Sequence, residues 1–162
     1  MNRIASILVW SAVLVFAHGQ EAAAPLSLFV VETSFFDGSH FVDTVEYPKL
    51  GFVAKEPALR IAAFKQVSAI ASPWKQHDRS GNVLDTGMLY QVSIVLSDAD
   101  GKSFAALTQA NNGKRVAMLL GDRIVAAPFI RGPISGGSIA ITVQTEQDMR
   151  NIEKQLKPFV KP

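Results

Sequence analysis

The sequence of 162 residues contains no cysteine. Disulfide bonds, thiol chemistry and lipid attachment to an N-terminal cysteine are therefore excluded. The three histidines are far apart and have no partner at the spacing that zinc ligands require: His18, His40 and His77. Because neither disulfides nor a metal ion can hold the chain, we expect an apolar core to stabilise it, and a chain of this length can bury one.

Motifs of known chemistry are absent as well. The sequence has no G-x-S-x-G motif and no serine visibly paired with a histidine and an aspartate. Gly101–Ser103 spells the end of a phosphate-binding loop, but Leu96 stands where that motif needs its first glycine. Asp98 and Asp100 lack the distal glutamate of a calcium loop, so we interpret them as helix caps. We therefore predict no catalytic residue, no cofactor and no enzymatic activity.

The sequence has little excess charge of either sign. Its formal net charge of +2 is too small to predict binding to nucleic acid. The segment 21–48 carries acidic residues without Lys or Arg, whereas basic residues predominate after residue 48. We interpret this asymmetry as solvated surface; the alternative is that the two regions face each other or present opposite faces to a partner.

The one long apolar run lies at the N-terminus. Arg3 precedes Ile4–Phe16, and small residues follow, which is the pattern of a secretory signal peptide. The run is shorter than the ~20 residues that span a bilayer. Cleavage is predicted after one of three residues: Ala17, Gly19 or Ala24. We thus predict a signal peptide over 1–19 and one exported, periplasmic or secreted domain over 20–162, with no stable membrane span.

The centre of the sequence predicts a β-hairpin. Val116–Leu120 and Ile124–Ile130 are apolar, and Gly121-Asp122 between them fits a type II′ turn. Val116–Leu120 is apolar on both faces, which is typical of a strand buried on both sides. Pro128 cannot donate a hydrogen bond to a sheet, so we expect the second strand to end there or to lie at an edge.

The remaining pattern predicts an α+β domain with an antiparallel or mixed sheet and two helices packed on one face. Further strands are predicted at Leu26–Val31, Phe41–Val45, Met88–Leu96 and Ile139–Val143. One helix is predicted over 102–111, capped by Asp98 or Asp100. A second begins at the capping box Thr145–Asp148 and ends at Pro158.

Two segments are harder to interpret. Leu59–Ile70 fits either a helical face or a strand, and we favour a strand near Leu59–Phe64 followed by a short helix or turn. Ser72–Gly87 is rich in turn-forming residues and predicts an exposed loop, with a hairpin tip at Ser80–Asn82. Trp74 in this loop is either a packing residue or a recognition anchor.

Several motifs resemble the head part of the first periplasmic domain of SecD, the accessory subunit of the bacterial Sec translocon. They are F-A-A-L-T at 104–108, N-G-K-R-V-A at 112–117, A-P-F-I at 127–130 and I-S-G-G at 134–137. The best-matched part is 88–157, and weaker similarity extends upstream to residue 26. The resemblance implies the α+β fold of that head.

The sequence departs from the family at three points. Gly121-Asp122 replaces the usual Asp-Gly, although both pairs form two-residue hairpins. Ile139–Val143 lacks the family's glycine and aromatic residue, which puts any contact made by that strand in doubt. SecD also has membrane helices that couple proton movement to its periplasmic domains. None is found after the N-terminal run, so the resemblance carries over a fold and a surface but not that energy conversion.

The resemblance implies a module that binds exported polypeptides or an envelope protein. The predicted contacts are Phe129, Arg131 and Ile134, where apolar groups and a cation lie beside two turns, together with Trp74. Two alternatives remain. An envelope enzyme or inhibitor would need a pocket near Asp122, Ser135 and Ser138. A structural subunit would assemble through a sheet edge such as the free side of the strand ending at Pro128.

Overall fold

The computed structural model describes residues 25–43 and 47–161, so the predicted signal peptide lies outside the described residues. Within these ranges the chain forms nine strands and two helices. The strands are β1 Leu26–Val31, β2 Ser39–Val42, β3 Gly51–Ala54, β4 Leu59–Ile61, β5 Phe64–His77, β6 Val83–Leu96, β7 Arg115–Leu120, β8 Arg123–Ala126 and β9 Ser138–Val143. The helices are α1 Asp98–Ala110 and α2 Glu146–Leu156, and a 3₁₀ turn Lys157–Phe159 follows α2.

Strand β7 lies inside a four-stranded antiparallel sheet of order β4-β1-β7-β8. Its alternate residues Val116, Met118 and Leu120 enter the main core. Ala117 is buried in a second, smaller apolar cluster, and Leu119 packs against that cluster. The predicted burial of this strand on both faces is therefore confirmed.

The β7–β8 hairpin also agrees with the prediction. Leu120 pairs with Arg123 across a two-residue loop, and Gly121 has φ 56°, a left-handed conformation that suits glycine. Strand β8 ends before Pro128 and forms one edge of its sheet. A register shift opposite Met118 and Leu119 bends β8 shortly before that proline.

A two-stranded layer, β2–β3, covers the second face of β7. It is attached where Glu32, just after β1, exchanges backbone hydrogen bonds with Phe52. Val53 and Val42 point inward from this layer onto the smaller apolar cluster. The approach is close at Gly51, where an added Cβ would lie 2.6 Å from the carbonyl oxygen of Glu32 and 2.7 Å from Cγ1 of Val31. Only glycine fits there.

The third sheet has the order β5-β6-β9 and carries the rest of the core. Val67, Val92 and Ile94 alternate onto its inner face, as do Ile139 and Ile141 of β9. Helix α2 packs against all three strands and buries its apolar stripe. That stripe is Met149, Ile152 and Leu156, as predicted.

Strands β5 and β6 extend well beyond their neighbours. β9 pairs with β6 only from Tyr90 to Val95, so the part of the hairpin from Ser72 to Leu89 is a two-stranded ribbon, here called the arm. The predicted loop over 72–87 is wrong, because these residues form the two strands of the arm. The short helix or turn expected after Phe64 is wrong for the same reason. The predicted tip at Ser80–Asn82 is confirmed.

Side chains close the outer edges of this sheet. The N–H group of Ala69 points away from β6 and donates to Glu153 Oε1 of α2 at 3.3 Å. Pro73, four residues further along and directed the same way, has no N–H group. On the free side of β6, the N–H of Thr86 donates to its neighbour Asp85 at 2.8 Å. Such devices prevent another strand from adding to an edge.

The helix boundaries follow local capping chemistry. Thr145 accepts from the N–H of Asp148 at 3.1 Å, which confirms the predicted capping box of α2. The cap of α1 is Ser97, which accepts from the N–H of Asp100 at 3.1 Å, so the predicted cap at Asp98 or Asp100 is wrong. The order strand, helix, three strands, helix from β6 onward agrees with the sequence, and the α+β class with two helices is confirmed.

We predict that Gly51→Ala destabilises the protein. Gly51 has φ 135°, so alanine adds backbone strain of about 1–3 kcal/mol to the clash with Glu32 and Val31. Urea unfolding followed by circular dichroism measures the change. Gly132→Ala is the matched control, since nothing lies within 4 Å of its added Cβ. Equal stabilities of the two variants would contradict the close packing of β3 on β1.

A second prediction concerns acid stability. Burial raises the pKa of Glu153, but hydrogen bonds from Lys157 and Ala69 and the charges of Lys157 and Arg150 outweigh burial and lower it. A lowered folded-state pKa gives stability that is present above the unfolded pKa and lost as the pH falls through the folded one. Glu153→Gln should therefore flatten the fall of the unfolding free energy below about pH 4.3. The control is Glu146→Gln, on the exposed side of α2. In this variant the unfolding free energy should still fall with pH nearly as it does in the unaltered protein.

Candidate binding surfaces

An apolar cavity lies between the β2–β3 layer and the four-stranded sheet, with a volume of ~390 Å³. Its floor is formed by Ala117 and Leu119 of β7 together with Phe29 of β1. Val42 and Val53 form the opposite wall. The cavity exists because the four residues of β2 and of β3 cover only part of the second face of β7. Its size and apolar lining suit one large apolar group of a ligand.

Polar groups stand at the rim of this cavity. His40 comes from β2, Asp122 comes from the β7–β8 turn, and Arg123 is the first residue of β8. The guanidinium of Arg123 lies 3.8 Å from the carboxylate of Asp148 on α2, and both side chains remain partly exposed. A ligand that enters the cavity would therefore meet an apolar interior and, at the entrance, hydrogen-bonding side chains of positive and of negative charge.

An aromatic cluster lies on the outer side of the β2–β3 layer. Phe41 and Phe52 are cross-strand partners whose ring centroids are 5.1 Å apart, and Phe35 meets Phe52 edge-to-face at 5.9 Å. Phe35 is 69% exposed and Phe41 is 49% exposed. Apolar rings clustered and exposed to water in this way are typical of a protein interaction surface.

The structure places Phe129, Arg131 and Ile134 on the segment that leaves the bend in β8. Phe129 is 55% exposed, and the guanidinium of Arg115 stacks on its ring, 4.1 Å from the centroid. That guanidinium also donates to the carbonyl of Ala127 at 3.2 Å. This cation–π contact holds one face of the ring in place and leaves the other face in solvent.

The same segment is attached to helix α1 through a buried hydroxyl. Thr108 is 1% exposed, and its Oγ1 donates to the carbonyls of Phe104 and Ala105 while accepting from the N–H of Ile134 at 3.0 Å. Ile134 is 40% exposed, and Arg131 is also exposed. Phe129, Arg131 and Ile134 therefore share one anchored surface segment. Their role as contacts stays a prediction.

Trp74 lies in a different sheet from that segment, on the arm. It pairs with Gly87 across the hairpin, and an added Cβ at Gly87 would come within 2.7–3.0 Å of the indole. The ring thus lies against the glycine and is 39% exposed. Trp74 therefore packs locally and is also accessible, and its role as a recognition anchor stays a prediction.

The three residues named for an envelope enzyme do not line one site. Asp122 is at the rim of the cavity described above, whereas Ser135 lines an open cleft beside the start of α1. In that cleft Lys65 hydrogen-bonds to Asp98 at 2.6 Å, and this bond and the lysine charge lower the pKa of Asp98. Among the described residues, no three metal-ligating side chains are grouped together.

Sequence reasoning missed the cavity, although one signal pointed to it. A central strand that is apolar on both faces needs a second covering layer, and the short β2–β3 segments had too few residues to cover the whole face.

No helix in the described part of the chain is both long and apolar enough to cross a membrane.

Comparison with known proteins identifies relatives of one kind. A family model described as "SecDF, P1 head subdomain" matches residues 77–157, which is half of the chain. Protein translocase subunit SecD of Acetobacter pasteurianus is 40% identical over 65 residues, covering 39% of this chain and 12% of that protein. SecD of Thermobaculum terrenum is 36% identical over 66 residues, covering 41% and 13%. The chain thus spans about an eighth of the length of these relatives.

Solved structures show a similar fold. A structure of SecDF, called a membrane component that enhances protein export, superposes with a TM-score of 0.56 at 22% identity, over 82% of this chain and 61% of that one. SecDF in a super-membrane-facing form gives a TM-score of 0.56 at the same identity, over 82% and 18%. At this identity the likeness supports the fold, and it extends beyond the part matched by the family model.

We predict that Thr108→Val loosens the segment 129–134. The valine matches the shape of threonine but leaves the N–H of Ile134 without its acceptor, at a cost of about 1–3 kcal/mol. Urea unfolding gives the stability, and amide hydrogen exchange at Ile134 reports the local effect. Ser103→Ala removes an exposed hydroxyl of the same helix and should change stability by less than about 0.5 kcal/mol. Equal behaviour of the two variants would contradict an anchoring role for Thr108.

Proposed function

Because the chain belongs to the family of SecDF P1 head subdomains, we propose that it is a non-enzymatic module that binds polypeptides outside the cytoplasm during export. The predicted signal peptide supports a periplasmic or secreted location. The relatives are translocase subunits about eight times longer than the matched part, so their activity as whole proteins is not assigned to this chain. The proposed role is binding alone.

The observation that carries this proposal is the apolar cavity under the β2–β3 layer. An unfolded polypeptide exposes apolar side chains that a folded protein has buried, and a volume of ~390 Å³ accommodates one of them. The exposed rings of Phe35 and Phe41 on the same layer offer further apolar contact. His40 and Arg123 at the rim can hydrogen-bond the peptide backbone on either side of the inserted group.

The contacts predicted from the sequence form a second part of the proposal. Phe129, Arg131 and Ile134 lie on one anchored segment, with an exposed ring and an exposed cation. A glutamate in place of Arg131 would reverse the charge of this segment without changing the core. The cavity and this segment can be tested separately, because their residues do not overlap.

We predict that the protein binds fluorescein-labelled, reduced and carboxymethylated α-lactalbumin, a permanently unfolded chain, and not the native form. Ile124→Asp places a charge in the cavity wall and should weaken binding roughly tenfold. Leu119→Trp fills the cavity and should act in the same direction. Fluorescence anisotropy measures the affinity, and Arg131→Glu measured alongside tests the second segment.

Val83→Asp is the matched control, because Val83 is an exposed apolar residue at the tip of the arm, away from the cavity. Thermal unfolding of each variant shows whether it is folded. If the unfolded probe fails to bind, or binds Ile124→Asp as well as the unaltered protein, the cavity is not a polypeptide site.

A further inference from the structure

The outer face of the β5-β6-β9 sheet carries no charged side chain over most of its length. This face consists of every second residue from Gln66 to Gln76, from Gly87 to Val95 and from Ser138 to Thr142, and is here called the neutral face. The first charge along it is Asp85, opposite Gln76 near the tip of the arm. Charged residues make up 19% of the chain and are mostly exposed, so their absence here restricts the partner to an uncharged one.

Hydrogen-bonding groups dominate the neutral face. Its polar members are amides and hydroxyls of Gln, Ser and Thr, which both donate and accept. Gln66 and Ser68 hydrogen-bond to each other at 2.9 Å on this surface. Pairing the face with an apolar surface would leave many such groups without partners, at a cost for each. A partner rich in hydroxyl groups avoids that cost.

One aromatic platform stands among these polar groups. The indole of Trp74 lies against Gly87, which holds one side of the ring and leaves the other open to solvent. Ile70 and Leu89, both about two-fifths exposed, flank it on the same face. A flat ring with an apolar border can stack on the C–H face of a sugar ring while nearby amides bond the sugar hydroxyls.

The edges of the sheet favour a ligand that lies on the face. Glu153 accepts the outward N–H of Ala69, Pro73 has none, and Asp85 accepts that of Thr86. An extended peptide that binds by strand addition needs such N–H groups to be free. Strand addition is therefore disfavoured at these three positions, whereas the sheet face stays open.

We propose that the neutral face binds an uncharged, hydroxyl-rich glycan chain, with Trp74 stacked on one sugar ring and Gln76 bonded to a hydroxyl beside that ring. Gln91, four residues along β6 from Gly87, would bond a hydroxyl of another sugar of the same chain. This site is separate from the polypeptide cavity, which lies in another sheet. A module with both surfaces would hold a polypeptide while resting on a cell-surface glycan.

The test is a titration of the full chain with chitohexaose and with cellohexaose, two uncharged β-linked oligomers. In a Trp10→Phe background Trp74 is the one remaining tryptophan, so its fluorescence reports binding directly. We expect saturable binding of at least one oligomer. Trp74→Ala, measured by isothermal titration calorimetry, should weaken it roughly tenfold or more. Gly87→Ala should also weaken it, because the added methyl displaces the indole.

Two controls separate this site from general effects. Phe129→Ala removes an exposed ring that lies outside the β5-β6-β9 sheet, and Gly132→Ala adds a methyl in open space; both should bind as the unaltered protein does. Absence of binding by both oligomers up to about 5 mM would overturn the proposal. The proposal would also be overturned if Trp74→Ala bound the oligomers as tightly as the unaltered protein does. It would be overturned as well if sedimentation showed that the unaltered protein is a dimer and Trp74→Ala a monomer, because the face would then join two copies of the chain. Ile124→Asp should leave glycan binding intact, which keeps this test independent of the polypeptide site.

Discussion

The need to bury β7 on both faces determines the architecture. Its residues from Val116 to Leu120 are all apolar, so one face closes the main core with α2 and the third sheet, and the other face requires a separate cover. The chain supplies that cover as the short β2–β3 layer, tied to the end of β1 through Glu32 and Phe52. Because this layer is too short to cover the face completely, the same requirement that stabilises the sheet also leaves the cavity.

The parts of the fold that could be predicted are those with local physical signals. Gly121-Asp122 between apolar runs specified the central hairpin, and the Thr145–Asp148 capping box specified the start of α2. The sequence predicts a loop where the arm lies, because proline and the polar residues found there are common in turns. Those residues are polar because both strands of the arm face solvent, and proline is tolerated on an edge strand. Ser97 was overlooked as a cap beside two aspartates that also favour that position.

The candidate sites were less accessible to sequence reasoning. Exposure of Trp74 could be inferred from its polar neighbours, but its stacking on Gly87 depends on cross-strand register, which the sequence alone did not fix. The cavity is lined by residues of β1, β2, β3, β7, the following turn and β8, and several of these segments are far apart in sequence. The neutral face likewise appears only when three strands are aligned. Surfaces assembled from distant segments carry no local signal, whereas Phe129 and Ile134 were recognisable because they lie close together in the chain.

The pairing of β1 with β7 has a consequence for how the molecule assembles. Ser27 lies opposite Leu119, so the first strand finds its central partner only after about 90 further residues are available. High contact order of this kind slows folding, because the entropy cost of closing a long loop comes before the stabilising contacts can form. During synthesis, the edge of β1 that pairs with β7 therefore stays unpaired until the second half of the chain is available, and β1 can pair only with β4 before then.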